Sequence, residues 1–194
     1  MKILKIIGIS ILSIILVLIV GGYSTTIICS FVNYKHNSNL TIENSLIYSQ
    51  HDYKEYKFGL GNVADNGCGV VAIYNLLKLD NKESNLAQII KSCEPFGLNA
   101  MGLLGTNPFF IKSYLRKNGY NVKIYFSNFE TNSKDAKFVI YSYFAIDHGH
   151  YQLLYDKSEN GFKSINPTYT NATFESLSQK NKNTIKFIYV IKWN

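Results

Sequence analysis

Acidic residues are absent from this 194-residue chain before Glu43, and cysteine occurs only three times. Three cysteines cannot build a disulfide framework, least of all with Cys29 inside an apolar N-terminal stretch; a single Cys68–Cys93 bridge is all that is left open. Metal-holding spacings such as CxxC or HExxH do not occur, and neither does a phosphate-cradling glycine loop, so neither metal nor cofactor is expected. Internal repeats and low-complexity tracts are missing too. The net charge of +7 is scattered among Asn, Ser and Tyr and not gathered into a stripe. That argues against nucleic acid as a partner and for a solvated surface with some affinity for anionic membrane or cell-wall polymer.

Against these absences stands a long apolar start. Lys2 and Lys5 precede a run from Ile6 to Val20, relieved only by Gly8, Ser10 and Ser13, and apolar character resumes at Ile27, Ile28, Cys29, Phe31 and Val32. A helix from Ile6 to about Ile28 is long enough to cross the ~30 Å hydrocarbon layer of a bilayer. A cleaved signal peptide also fits the basic start, and Gly22, Ser24 and Thr26 are small enough for its cleavage site. A lipoprotein signal does not fit, because Ile28 precedes Cys29. The reading adopted is an uncleaved signal anchor over residues 1–34 and one domain over residues 35–194. The basic end stays in the cytoplasm and the domain lies outside a single-pass cell membrane, or is secreted if the segment is cleaved. Residues 33–50 read as a polar tether.

The domain divides into helices, then strands. Helical spacing is expected from Cys68 to about Leu79, from an N-cap at Ser84 to about Lys91, and from a cap at Thr106 or Asn107, through Pro108, to Asn118-Gly119. After Gly119 come β-branched and aromatic runs at Val122–Phe126, Phe138–Ile146, His150–Tyr155, Phe162–Ile165 and Ile185–Ile191. A short helix from Phe174 to Gln179, capped by Thr173, is expected before the last. This order implies an α+β domain with helices packed on an antiparallel sheet.

The stretch Asp65-Asn66-Gly67-Cys68-Gly69 runs directly into the first of these helices. A cysteine in a first helical turn meets unpaired N–H groups and the positive end of the helix dipole, which lower a thiol pKa from ~8.5. Gly67 and Gly69 leave room for a ligand to approach the sulfur. The competing reading is a buried, inert cysteine. His150 opens one strand and Asn166 follows the next, so antiparallel pairing makes them neighbours, with an Asn carbonyl oxygen able to fix the imidazole tautomer. His148 competes with His150 as a base. Singly, each residue has an ordinary structural explanation; the combination is specific to thiol chemistry.

Cys68-Gly-Val-Val-Ala-x-x-Asn75, Gly149-His-Tyr-x-Leu-Leu154 and Asn166-Pro167 resemble the motifs of papain-like cysteine peptidases, closest to the bacteriocin-processing, double-glycine-leader group. Leu103-Leu104-Gly105 and Asn118-Gly119-Tyr120 fit the middle of that family, and the resemblance spans roughly residues 45–192. It implies a papain-like fold, here placed after the one transmembrane helix read from the apolar start, and a peptide or protein substrate. The implied roles are Cys68 as nucleophile, His150 as base and acid, and Asn166 as its orienter. The family's oxyanion glutamine, six positions before the cysteine, is matched here by the shorter Asn62, with Asn66 as a fallback. Acyl transfer on the same fold, and a degenerate domain that only binds a peptide or partner, are the alternatives.

Overall fold

The computed structural model describes residues 2–42, 45–144, 149–166 and 185–192. The expected helix at 174–179, and the residues Ile146, His148 and Pro167, lie outside them.

Helix α1 (Lys2–Asn37) is continuous through the apolar run and beyond it. Its side chains from Ile7 to Val20 are largely exposed, and its length and apolarity are those of a membrane span or a signal sequence. The expected tether begins instead as the last turns of this helix. Asn37 donates to the Lys57 carbonyl and accepts from its N–H, so its carboxamide mimics a strand partner. Downstream, Ile47 and Gln50 are buried as well. A polar composition misled here because the polar atoms are spent on backbone groups of the domain.

A 3-10 turn (Gln50–Tyr53) leads to a hairpin of β1 (Lys57–Phe58) and β2 (Gly61–Asn62), then to α2 (Val63–Asn66) and α3 (Cys68–Leu79). Every residue of α3 from Cys68 to Leu77 is buried. Asn75 among them accepts from Ile47 N–H and donates to its carbonyl, both at 2.8 Å, which satisfies a carboxamide that burial would otherwise penalise. Helix α4 (Leu86–Cys93) is capped by Asn85, not by Ser84, and α5 (Pro108–Lys117) by Asn107.

The sheet has the order β3-β7-β4-β5-β6, antiparallel throughout: β3 (Asn121–Tyr125), β7 (Ile185–Lys192), β4 (Phe138–Phe144), β5 (Gly149–Ser158) and β6 (Gly161–Ile165). Alternation sorts its faces. Phe138, Ile140, Tyr151, Leu153, Tyr189 and Ile191 join the helical core, while Val139, Tyr141, Tyr143, Leu154, Ile188 and Val190 form a second cluster with Phe162 and with Phe129 of α6 (Phe129–Asn132). Both faces of β4 are therefore covered, which is why it reads as a continuous apolar run. The sheet presents the start of β5 to the first turn of α3, and there the Cys68 sulfur meets the main chain of the strand that carries His150.

Candidate active site

Cys68 is the first residue of α3 and 7 % exposed. Its sulfur accepts hydrogen bonds from its own N–H and that of Gly69, the free donors of a helix start, and from the N–H of Tyr151 across on β5. That last amide belongs to the peptide joining His150 to Tyr151, so the fold brings the thiol to the main chain of the histidine strand. Burial nevertheless outweighs these three donors and pushes the thiol up to about 11. The lowered pKa expected of a helix-start cysteine is corrected accordingly: the sulfur is buried, and a thiolate there loses more hydration than the N–H groups return.

The glycines flanking Cys68 serve packing, not access. A Cβ on Gly67 would lie 2.7 Å from Val63 Cα, and one on Gly69 would lie 2.6 Å from both Cβ and Oγ1 of Thr106. Thr106 is fully buried, and the Tyr151 hydroxyl donates to its carbonyl at 3.1 Å. The loop before α5 is thereby clamped between α3 and β5. Cys93 is buried elsewhere, with its thiol 3.3 Å from the Gly97 carbonyl, and both cysteines are free.

His150 and Asn166 do become neighbours, and an Asn carbonyl oxygen does meet the ring. The imidazole Nε2 lies 2.7 Å from the main-chain carbonyl of Asn166, not from its side chain. A carbonyl only accepts, so Nε2 carries the proton and Nδ1 keeps the lone pair. Burial, reinforced by nearby His51, lowers the His150 pKa and keeps the ring neutral, against an opposing contribution from the Asn166 carbonyl. The ring also meets Tyr143, its cross-strand partner, at 6.5 Å between centroids.

Asn166 turns its carbonyl this way because its backbone is left-handed (φ 55°), a conformation asparagine tolerates better than most residues. Its carboxamide is locked elsewhere. Asn166 Nδ2 donates to Gln50 Oε1 at 2.9 Å, Gln50 N–H donates to Asn166 Oδ1 at 3.2 Å, and Gln50 Nε2 donates to the Ala64 carbonyl at 2.9 Å. Sequence reading missed Gln50. It lies in the stretch read as a tether, and nothing local marks it.

Asn62 is placed differently from its expected role. It caps α2: Oδ1 accepts from Asp65 N–H at 3.0 Å and Nδ2 donates to the Asp65 carboxylate at 2.7 Å, on the exposed side of the turn. Short amides are good caps because their oxygen reaches the N3 amide without strain. The Asn66 carboxamide lies over Gly61. Among the described residues no group of His, Cys, Asp and Glu is arranged to hold a metal ion.

No protein-family model and no curated protein matches the chain. Similar solved structures include a double glycine motif protease from an AMS/PCAT transporter in complex with the leader peptide. It is 16 % identical, with 66 % of this chain and 84 % of that one covered, at a TM-score of 0.48. Another is the peptidase domain of Streptococcus ComA, a bifunctional ABC transporter involved in a quorum-sensing pathway, 13 % identical over 66 % of this chain and 91 % of that one, at 0.47. The chemistry of the site rests on its own residues.

Proposed function

We propose that this chain is a membrane-anchored cysteine peptidase that hydrolyses a peptide or amide bond, with Cys68 as nucleophile, His150 as base and then acid, and Asn166 as the group that holds the imidazole. One observation carries the reading. Three distant segments converge so that the Cys68 sulfur meets the Tyr151 amide while the adjacent His150 is fixed through Nε2 by Asn166, leaving Nδ1 as its basic nitrogen. In this reading a buried, neutral thiol is activated by general-base catalysis once substrate binding brings the neutral imidazole to it: Nδ1 takes the proton as sulfur attacks the carbonyl carbon. The protonated ring then donates to the leaving amine, and water releases the acyl group. With the Asn62 carboxamide engaged by Asp65, the oxyanion donor in this reading is the main-chain N–H of Cys68 at the helix start. Helix α1 anchors the enzyme, with Lys2 and Lys5 on the cytoplasmic side and the domain outside.

The test is incubation of the full chain in detergent micelles with a mixed peptide library, followed by mass spectrometry. New N-termini that vanish in Cys68→Ala and His150→Ala support the reading, and equal cleavage by Cys68→Ala overturns it. If an added amine diverts the product from acid to amide, the reaction is acyl transfer. The buried thiol and the engaged Asn62 also suit a domain that binds a peptide without cutting it; retention of library peptides by Cys68→Ala, with no cleavage by either form, assigns that role.

A further inference from the structure

The domain carries an apolar loop beside the membrane helix. From Pro95 to Ile111 the sequence contains no Asp, Glu, Lys or Arg. Within that stretch Phe96, Leu103, Leu104 and Phe109 are between 54 % and 76 % exposed. Such a patch on a rigid surface needs an explanation beyond scattered exposure, and the loop is rigid. Asn99 N–H donates to the Gly105 carbonyl, Asn107 N–H to that of Gly97, and Leu60 N–H to that of Met101. Gly59 lies so close to the loop that a Cβ there would overlap the Met101 carbonyl. The apolar side chains are therefore held outward, not left out by a mobile segment.

Their height is set by α1. A single stripe of this helix faces the domain. Ser30 Oγ donates to the Lys91 carbonyl, Asn33 Nδ2 to Glu94 and to the Gly59 carbonyl, and Asn37 to Lys57. Two turns before Ser30 on the same stripe, Tyr23 packs its ring 6.1 Å from that of Phe96. Leu18, Ile19 and Gly22 share a cavity of about 310 Å³ with Phe96, Leu98 and Met101. A span that begins after Lys5 and needs ~20 residues ends near Thr25. Leu18, Ile19 and Gly22 then lie inside the bilayer, and the loop that meets them lies at the depth of its outer boundary.

We infer that the 95–109 loop is a second membrane contact, its Phe96, Leu103 and Leu104 side chains seated in the headgroup and upper acyl region of the bilayer that α1 crosses. The inference rests on α1 being a membrane anchor. It has a consequence for the site, because the same loop supplies Thr106 against Gly69 and places Gly105 beside the Asn66 carbonyl. Cys68 is thus held one loop-width from the lipid surface, and its substrates are peptides met at the membrane.

Single-tryptophan versions of the full chain, made in a Trp193→Phe background and reconstituted in phosphatidylcholine vesicles, test this. Leu12→Trp reports the anchor, Phe96→Trp and Leu104→Trp the loop, and Phe126→Trp, exposed just past the end of β3, an apolar surface position outside the loop. Brominated lipids are the quencher, with circular dichroism checking each fold. The expected result is strong quenching by deep bromines at position 12, quenching by shallow bromines at positions 96 and 104 with blue-shifted emission, and none at 126. Quenching at 12 with positions 96 and 104 no different from 126 overturns the loop contact and leaves the anchor standing. No quenching at 12 overturns the anchor and this inference with it.

Discussion

Gln50 and Asn166 hold each other by two hydrogen bonds, side chain to side chain at 2.9 Å and main chain to side chain at 3.2 Å, across 116 positions of sequence. The pair fixes the left-handed turn that aims the Asn166 carbonyl at His150. Gln50 is thus a positioning residue, acting on the imidazole through Asn166.

Replacing Gln50 tests that relay. Gln50→Ala leaves Asn166 Nδ2 and the Ala64 carbonyl without partners in a buried place, at about 1–3 kcal/mol each. Thermal unfolding is expected to register that loss. Steady-state kinetics on the folded fraction should show kcat reduced with KM little changed, and the acid limb of the pH profile displaced. Gln50→Glu keeps the acceptor for Asn166 Nδ2 and should restore part of the rate. A fall in stability with an unmoved pH profile would mean that Gln50 is structural only.

Asn62→Ala separates capping from catalysis. Loss of an N-cap costs ~1 kcal/mol of stability, whereas loss of an oxyanion donor costs ~10²–10³ in rate. With its carboxamide on Asp65, the expected outcome is a small drop in melting temperature and nearly full kcat. A hundredfold loss of kcat would return Asn62 to the oxyanion site.

The two titrating groups predict an alkylation profile. With the thiol near 11, only about one Cys68 in ten thousand is thiolate at pH 7, so labelling there depends on His150 accepting the proton. The histidine is basic only when neutral, and burial sets its pKa below the ordinary 6.5. Iodoacetamide labelling of Cys68 should therefore lose rate only below that value. In His150→Ala it should be much slower at neutral pH and climb about tenfold per pH unit towards 11. Identical profiles for the two proteins would disconnect the pair.

Glu94 predicts a stability effect of opposite sign to that of an exposed carboxylate. It is fully buried; Asn33 and the Gly59 N–H share Oε1, and Oε2 has no hydrogen-bond partner among the described residues. Burial raises its pKa above the ordinary 4.5, so the folded state holds the proton more tightly than the unfolded chain. Its contribution is full below the unfolded value and declines as pH rises through the folded one. Melting curves in detergent should fall over that interval, and Glu94→Gln should flatten them. An unchanged pH dependence in the variant counts against this assignment.

Much of the architecture was legible because it is local. The apolar run before Val20, the helix from Cys68 to Leu79, the cap at Asn107 and the strands after Gly119 each follow from periodicity or from a turn residue in place. The pairing of β5 with β6 even made His150 and Asn166 neighbours on paper, since antiparallel strands joined by a short turn leave little choice.

What the sequence by itself determined, then, is which segments become helix and strand and which residue types can do thiol chemistry. The tertiary structure decided which atoms meet. It chose the Asn166 carbonyl over its carboxamide, because Gln50 arrives from a stretch without local pattern. It gave Asn62 to a cap, because Asp65 is nearer than any substrate. And it reversed the expected shift of Cys68, because a helix start stabilises a thiolate through a few N–H groups, while burial against β5 removes the solvent that would stabilise it more.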